Sequence, residues 1–419
     1  MEVMKKTFGV MGVVLATIAI ISLSVNWGFA SQNGINGTNK TTVTKTFELP
    51  SRLHKNGEGF YEIGRMLTPR YKHSSILLDD GRVFIVGGQN SKGITLNSTE
   101  IFNPKTGKSI KGPDMPYSGF ECTLKLLSNG NVLIVGGKYN NQDKVSVYYP
   151  KENKIVETNK TLTHEIIRSA AIAETSQDEV FIDDMSFVAT KFGFGIYNKQ
   201  TNELSIKHST NTASKTYDYY VGDINNKLYF LSVNRHYSSK QNLKNTAALH
   251  IIEIMPDIDA NEYKYKLQEN NYELDSHPPY DDTSHGLLLK DGKTLFICND
   301  YNDGYVLFDI QTKKSKKVKP NVKLKAIRNL SLLENGNIIF FNRSKESMSI
   351  VELNPYKGSG LVKLYEEPDS AYASVINLDG NNLLYTGGCK IHPAGMITFG
   401  FNYGASDKIY LWKTKKENN

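Results

Sequence analysis

The sequence has three cysteines, Cys122, Cys298 and Cys389, and two tryptophans, Trp27 and Trp412. So few thiols, odd in number, exclude a disulfide framework as the source of stability, and each is read as a small buried hydrophobe. There is no glycine-rich phosphate loop, no G-x-S-x-G elbow and no HExxH pair. The stretch Asp300-Tyr301-Asn302-Asp303-Gly304 misses the calcium-loop spacing by one residue and lacks the distant glutamate, so it is read as a turn. Carboxylates are plentiful, but no feature sets two of them across a cleft, and a glycosidase reading has no anchor. These absences lead to an expectation of no cofactor and no metal. The net charge of +7 is modest, and the basic run is not interleaved with aromatics, which argues against a nucleic-acid partner.

What the chain does have is a hairpin that recurs. Asp80-Gly81 precedes Val83-Phe84-Ile85-Val86 and Gly87-Gly88; Asn129-Gly130 precedes Val132-Leu133-Ile134-Val135 and Gly136-Gly137. The figure returns at Asp291-Gly292, at Asn335-Gly336, and at Asp379-Gly380 ahead of Leu383-Leu384-Tyr385 and Gly387-Gly388. Asp-Gly and Asn-Gly between apolar runs predict tight hairpins of type I′. Degenerate copies at Asp178 and Asn226 complete a series whose steps are 49, 48, 48, 66, 44 and 44 residues. A period near fifty signals an array of small sheets, with an insertion in the long step.

A second hairpin follows each first one. Glu100-Ile101-Phe102-Asn103-Pro104, Val147-Tyr148-Tyr149-Pro150 and Ile196-Tyr197-Asn198 each end a β-rich run at a turn. Val306-Leu307-Phe308-Asp309 and Val351-Glu352-Leu353-Asn354-Pro355 repeat the pattern. Each unit therefore reads as four antiparallel strands, a to d. The last unit ends after Lys408 to Trp412 with no strand d behind it, while Gly59-Phe60-Tyr61-Glu62-Ile63 stands unused ahead of the first. Pairing the two would remove two open sheet edges.

Over residues 59–413 the chain resembles the kelch family of β-propellers, on its paired glycines after strand b and its Asn-Pro or Tyr-Pro turn after strand c. The resemblance implies an all-β, seven-bladed propeller of four-stranded antiparallel blades, closed by an N-terminal strand. The structural repeat glycines are Gly87, Gly88, Gly136, Gly137, Gly387 and Gly388, expected where backbones converge near the axis. Exported propellers of this kind include copper oxidases of the galactose oxidase type and sialic acid mutarotases. The resemblance thus leaves two functions open: a binding module for a protein or glycan, and a carbohydrate-active enzyme.

The N-terminus is read separately. Lys5-Lys6, an apolar stretch from Phe8 to Val25, and small residues at Gly28 and Ala30 describe an export signal over residues 1–30. Cleavage after Ala30 and retention as an anchor over 8–25 are both open, which places the protein outside the cell or at its surface. Residues 31–50 are a polar, flexible linker, and 51–419 form the propeller. A monomeric ring is expected.

Candidate binding residues come from the d–a and b–c loops, which share one face and are longer than the opposite turns. Arg70, Arg168 and Arg328 enter strand a in three units, either to clamp an anion or to staple neighbouring blades. His73, His164 and His285 open strand a. Tyr372, and His392 and Tyr403 within the long Cys389–Asp407 segment, complete the set. Lys313, Lys314, Lys316, Lys317, Lys319, Lys323 and Lys325 form an outer-edge run, read both as edge protection and as a contact for an anionic cell-surface polymer.

Overall fold

The computed structural model describes residues 59–137, 143–162, 172–174, 178–183, 193–208, 217–224, 227–234, 246–255, 264–270, 284–299, 304–324, 327–343, 348–364, 372–389 and 404–413. From 207 to 285 it describes the backbone alone.

The chain is all β. After β1 (Gly59–Arg65) come β2 (Ser74–Leu77), β3 (Val83–Val86), β4 (Thr99–Asn103) and β5 (Lys108–Lys111), hydrogen-bonded in that order as one antiparallel sheet. The second sheet is β6 (Thr123–Leu126), β7 (Val132–Val135), β8 (Val145–Tyr149) and β9 (Lys154–Glu157). The third is β10 (Ile172–Glu174), β11 (Glu179–Asp183), β12 (Gly193–Asn198) and β13 (Glu203–His208). Next come β14 (Tyr217–Ile224), β15 (Lys227–Asn234), β16 (Thr246–Met255) and β17 (Lys264–Asn270). The fifth sheet is β18 (Ser284–Leu288), β19 (Thr294–Asn299), β20 (Tyr305–Asp309) and β21 (Ser315–Val318). The sixth is β22 (Ile327–Leu332), β23 (Ile338–Arg343), β24 (Met348–Asn354) and β25 (Ser359–Leu364).

Six sheets are thus built from four consecutive strands. The remaining one joins both chain ends: β26 (Ser374–Asn377), β27 (Asn382–Thr386) and β28 (Lys408–Lys413) are completed by β1, with Phe60 opposite Trp412 and Arg65 opposite Lys408. The innermost strand β2 lies against β6 on one side and β26 on the other, so the last sheet packs back onto the first. The arrangement is a β-propeller.

The core is a series of clusters between neighbouring sheets, which explains why the second strands β3 and β7 are apolar at every position. Phe84 and Val86 of β3 pack toward the second sheet with Leu124, Val132, Ile134 and Tyr148. Val83 and Ile85 point the other way, into Ile376, Leu384, Ile409 and Leu411 of the closing sheet. A strand buried on both faces needs no polar alternation. The Phe84 and Tyr148 rings stack at 4.0 Å and an interplanar angle of 12°.

The recurrent hairpins differ from the type I′ expectation. Gly81 N donates to Leu78 O at 3.0 Å and Leu78 N donates to Arg82 O at 2.8 Å, with positive φ at Gly81 (84°) and not at Asp80. This is a type I turn followed by one left-handed residue, the three-residue hairpin. The preceding Asp or Asn has a different job: its carboxyl or amide oxygen accepts a backbone amide two residues on. Asp80 Oδ1 takes Arg82 N at 2.9 Å, Asn129 Oδ1 takes Asn131 N at 3.1 Å, and Asn335 Oδ1 takes Asn337 N at 2.9 Å.

The paired glycines also serve a purpose other than convergence on the axis. A Cβ on Gly87 would sit 2.1 Å from Gly119 O, and one on Gly387 would sit 2.4 Å from Arg70 O. Those carbonyls belong to the links carrying the chain from one sheet to the next. Gly88 N donates to Gly119 O at 2.9 Å and Gly388 N donates to Arg70 O at 3.0 Å. The first glycine makes room for the link, and the second bonds to it.

Candidate functional site at the mouth of the ring

At the end of the ring where the d–a links and the b–c segments meet, Tyr71 and Gln89 exchange backbone bonds of 3.0 and 2.8 Å. Two residues before each of the inner strands β2, β6 and β26 stands a non-glycine residue in the left-handed region: Lys72 (φ 55°), Glu121 (φ 55°) and Tyr372 (φ 60°). Each such conformation costs about 1–2 kcal/mol in an L-residue. Backbone bonds link the three in series: Glu121 N donates to Lys72 O at 2.8 Å, and Lys72 N donates to Tyr372 O at 3.0 Å.

Aromatic rings gather on the central member. Lys72 Nζ lies 5.1 Å from the Tyr372 ring centroid, 5.2 Å from Phe120 and 5.9 Å from Tyr71. The Tyr71 and Tyr372 rings are 6.1 Å apart and tilted. Tyr71 is buried, whereas Lys72, Phe120, Glu121 and Tyr372 are half-buried. The result is an ammonium framed by π faces with a carboxylate on the neighbouring link, able to meet a ligand by stacking and by hydrogen bonds.

Beneath this layer polar side chains join neighbouring sheets. His73 Nε2 and Thr386 Oγ1 are 2.8 Å apart, joining the first inner strand to the closing sheet. Burial and the Arg70 charge push the His73 imidazole down to about 3, so it is neutral. Ser75 Oγ donates to Ser374 Oγ at 2.6 Å, and Ser74 Oγ donates to Cys122 O at 2.6 Å. The Cys122 thiol is raised to about 12 by burial. All three cysteines are buried.

Among the described residues no group of three or more His, Cys, Asp or Glu side chains is placed to hold a metal ion, and no helix is long and apolar enough to cross a membrane.

A kelch motif matches residues 70–116, the stretch from Arg70 through the first sheet to the link that follows it. The first blade is a kelch motif. No curated protein matches the chain. Among solved structures, the propeller is similar to a catalytically inactive virginiamycin B lyase from Staphylococcus aureus with quinupristin. That likeness has a TM-score of 0.53 at 14% identity and covers 85% of this chain and 99% of that one. It is also similar to a fungal alcohol oxidase of the AA5 family in complex with copper, with a TM-score of 0.56 at 11% identity, covering 85% of this chain and 76% of that one. At such identities the likeness is one of fold.

The propeller places the sequence candidates unevenly. Arg70 is wholly buried: its Nη1 donates to Gly87 O at 2.8 Å and Ser98 O at 3.0 Å, and its Nη2 to Glu100 Oε1 at 2.7 Å. All these partners are protein groups, the geometry of a staple. Arg328 does not occupy the position of Arg70. It pairs with Phe341 inside β22, next to a bulge, whereas Arg70 precedes β2. His285 likewise pairs with Cys298 inside β18, while His73 precedes β2. His285 and Arg328 are each the second paired residue of the inner strand, after Ser284–Asn299 and Ile327–Asn342. Tyr372 sits at the mouth. His164, Arg168, His392 and Tyr403 lie outside the described residues.

The pair Phe120-Glu121 was missed by reading each link for arginine or histidine. A signal existed: it stands 49 residues after Tyr71-Lys72, the step between the first two hairpin glycines.

Proposed function

We propose that this kelch propeller is a binding module, exported and held at or beyond the cell surface, that captures a protein or glycan through the mouth formed by Tyr71, Lys72, Phe120, Glu121 and Tyr372. In this reading the blades form a closed ring of seven, with β1 as the outer strand of the last. One observation carries the proposal: three adjacent non-glycine residues are held in a costly left-handed conformation around a lysine framed by aromatic rings. Such strain gathers where the surrounding fold sustains it for a site. Supporting it, the base of the long Cys389–Asp407 segment is pinned beside the mouth, where Cys389 pairs with Ala405 and Ala405 N donates to Ser91 Oγ at 3.1 Å.

The test is a glycan array probed with the protein and with Tyr372→Ala and Lys72→Ala variants of unchanged melting temperature. Retention by wild type and loss by both variants supports the reading. A ligand that both variants bind as well as wild type does overturns it.

A carbohydrate-active enzyme on the same scaffold, of copper oxidase or sugar mutarotase type, is the second reading. The fold likeness to a copper-bound alcohol oxidase favours its oxidase form. Copper bound stoichiometrically, together with turnover of a sugar alcohol, would replace the binding reading with this one.

A further inference from the structure

The outer rim carries a basic and apolar surface that the mouth does not use. β21 is the edge strand of its sheet, and Lys314, Lys316, Lys317, Lys319 and Lys323 on and around it are exposed. The link leaving β21 runs across the start of the next outer strand. Asn321 N donates to Gly358 O at 3.0 Å, Gly360 N donates to Asn321 Oδ1 at 2.6 Å, and Val322 packs where a Gly360 side chain would be. Lys319 and Lys323 are therefore held beside β25. On that strand two large apolar side chains are exposed, Leu361 (58%) and Val362 (47%); Tyr356, before it, is 45% exposed with its hydroxyl bonded to the Asp291 carboxyl.

Register decides which groups are neighbours. Val362 pairs with Val351, and Val351 packs in the cluster shared with the β18–β21 sheet, so Val362 lies on the flank of β25 that faces β21. Lys316 alternates with Val318, which packs against the same cluster, so Lys316 faces back toward β25. Leu361 alternates with Val362 and pairs with Glu352, so it lies on the opposite flank of β25, which the outermost strand also presents at the rim. Lysines and apolar groups thus form a strip along the rim, with Lys316 and Val362 between the two blades and Leu361 on the far flank.

We propose that this strip docks the propeller edge-on to an anionic lipid bilayer, with the lysines among the headgroups and Leu361 and Val362 at the acyl boundary. Edge protection accounts for lysines alone; it does not account for large aliphatic side chains exposed on the next outer strand. A soluble anionic polymer would satisfy the charge but leaves the apolar groups without a partner. A membrane surface uses both.

Full-length protein is mixed with phosphatidylcholine vesicles and with vesicles of equal parts phosphatidylglycerol and phosphatidylcholine, and the sedimented fraction is measured. The phosphatidylcholine arm reports whatever residues 8–25 contribute. The expected result is at least a tenfold preference for the anionic vesicles, lost at high salt. The double variant K316E/K319E should weaken that binding about 25-fold, near fivefold for each lysine. L361S/V362S should weaken it about tenfold while leaving retention on soluble polyphosphate unchanged. The matched change K151E/K160E around β9, an edge with exposed lysines and no exposed large apolar side chain, should have little effect. Each variant is checked for an unchanged melting temperature. Equal binding to both vesicle types, or K316E/K319E binding as wild type does, overturns the proposal. Anionic binding indifferent to L361S/V362S assigns the strip to a polymer and overturns it too.

Discussion

Arg70 and Glu100 meet at 2.7 Å with side chains 0% and 2% exposed. The Glu100 carboxylate also accepts Leu67 N at 2.6 Å and Thr68 N at 2.9 Å, so it holds the link leading out of β1. Arg70 N donates to Ser406 O at 3.1 Å while its own carbonyl accepts Gly388 N. One residue thereby ties the closing sheet, through its backbone, to the first sheet, through its guanidinium.

Breaking this pair leaves an uncompensated buried charge. Glu100→Ala is expected to cost about 3–5 kcal/mol in urea unfolding, and the double variant Arg70→Met/Glu100→Leu clearly less. Equal losses for the single and double variants would mean the pair acts through packing alone.

Gly387→Ala is expected to destabilise by about 2–5 kcal/mol, because φ is 61° and the new methyl would meet Arg70 O at 2.4 Å. Gly93→Ala supplies the comparison: its φ of 74° is as demanding, but nothing lies within 4 Å of the added atom. A cost of about 1–2 kcal/mol is expected there. Denaturant midpoints of the two variants separate the close approach from backbone strain.

Deleting residues 51–64 removes most of β1 and should lower the melting temperature sharply. It uncovers β28 as an edge and strips Ile63, 2% exposed, from its cluster, a loss of about 1.5–3 kcal/mol by itself. Deleting 31–47 should change it little. Equal melting temperatures for the two truncations would refute closure by the N-terminal strand.

His73 gives the fold an acid-side slope. Its ordinary value near 6.5 falls to about 3 in the folded protein, chiefly through burial. Between those values the unfolded chain binds a proton that the folded chain does not. Stability is therefore fully present above 6.5 and declines toward pH 3, by at most about 1.4 kcal/mol per pH unit. Asp291 and Asp309, held below their ordinary value, lose their contribution only at lower pH. His73→Asn should flatten the profile between pH 6.5 and 4. An unchanged slope over that interval would remove His73 as the cause.

The sequence by itself determined the strands and their count per unit, because Asp/Asn-Gly turns and apolar runs are local signals that need no partner to be read. It also marked β1 as the strand the last unit lacked, since an unpaired edge is visible as an unequal number of runs at the two ends. What only the tertiary structure decided was which residues face one another across blades. Arg70 was legible as an arginine near an inner strand. Its burial against Glu100, 30 residues away in sequence, follows from the packing of links over strands. Arg328 and His285 looked equivalent to Arg70 and His73 by spacing, but a bulge and strand register moved them to another position. Lys72, Glu121 and Tyr372 form a series only because closing the ring brings the last inner strand beside the first, a relation that lies hundreds of residues outside any local pattern.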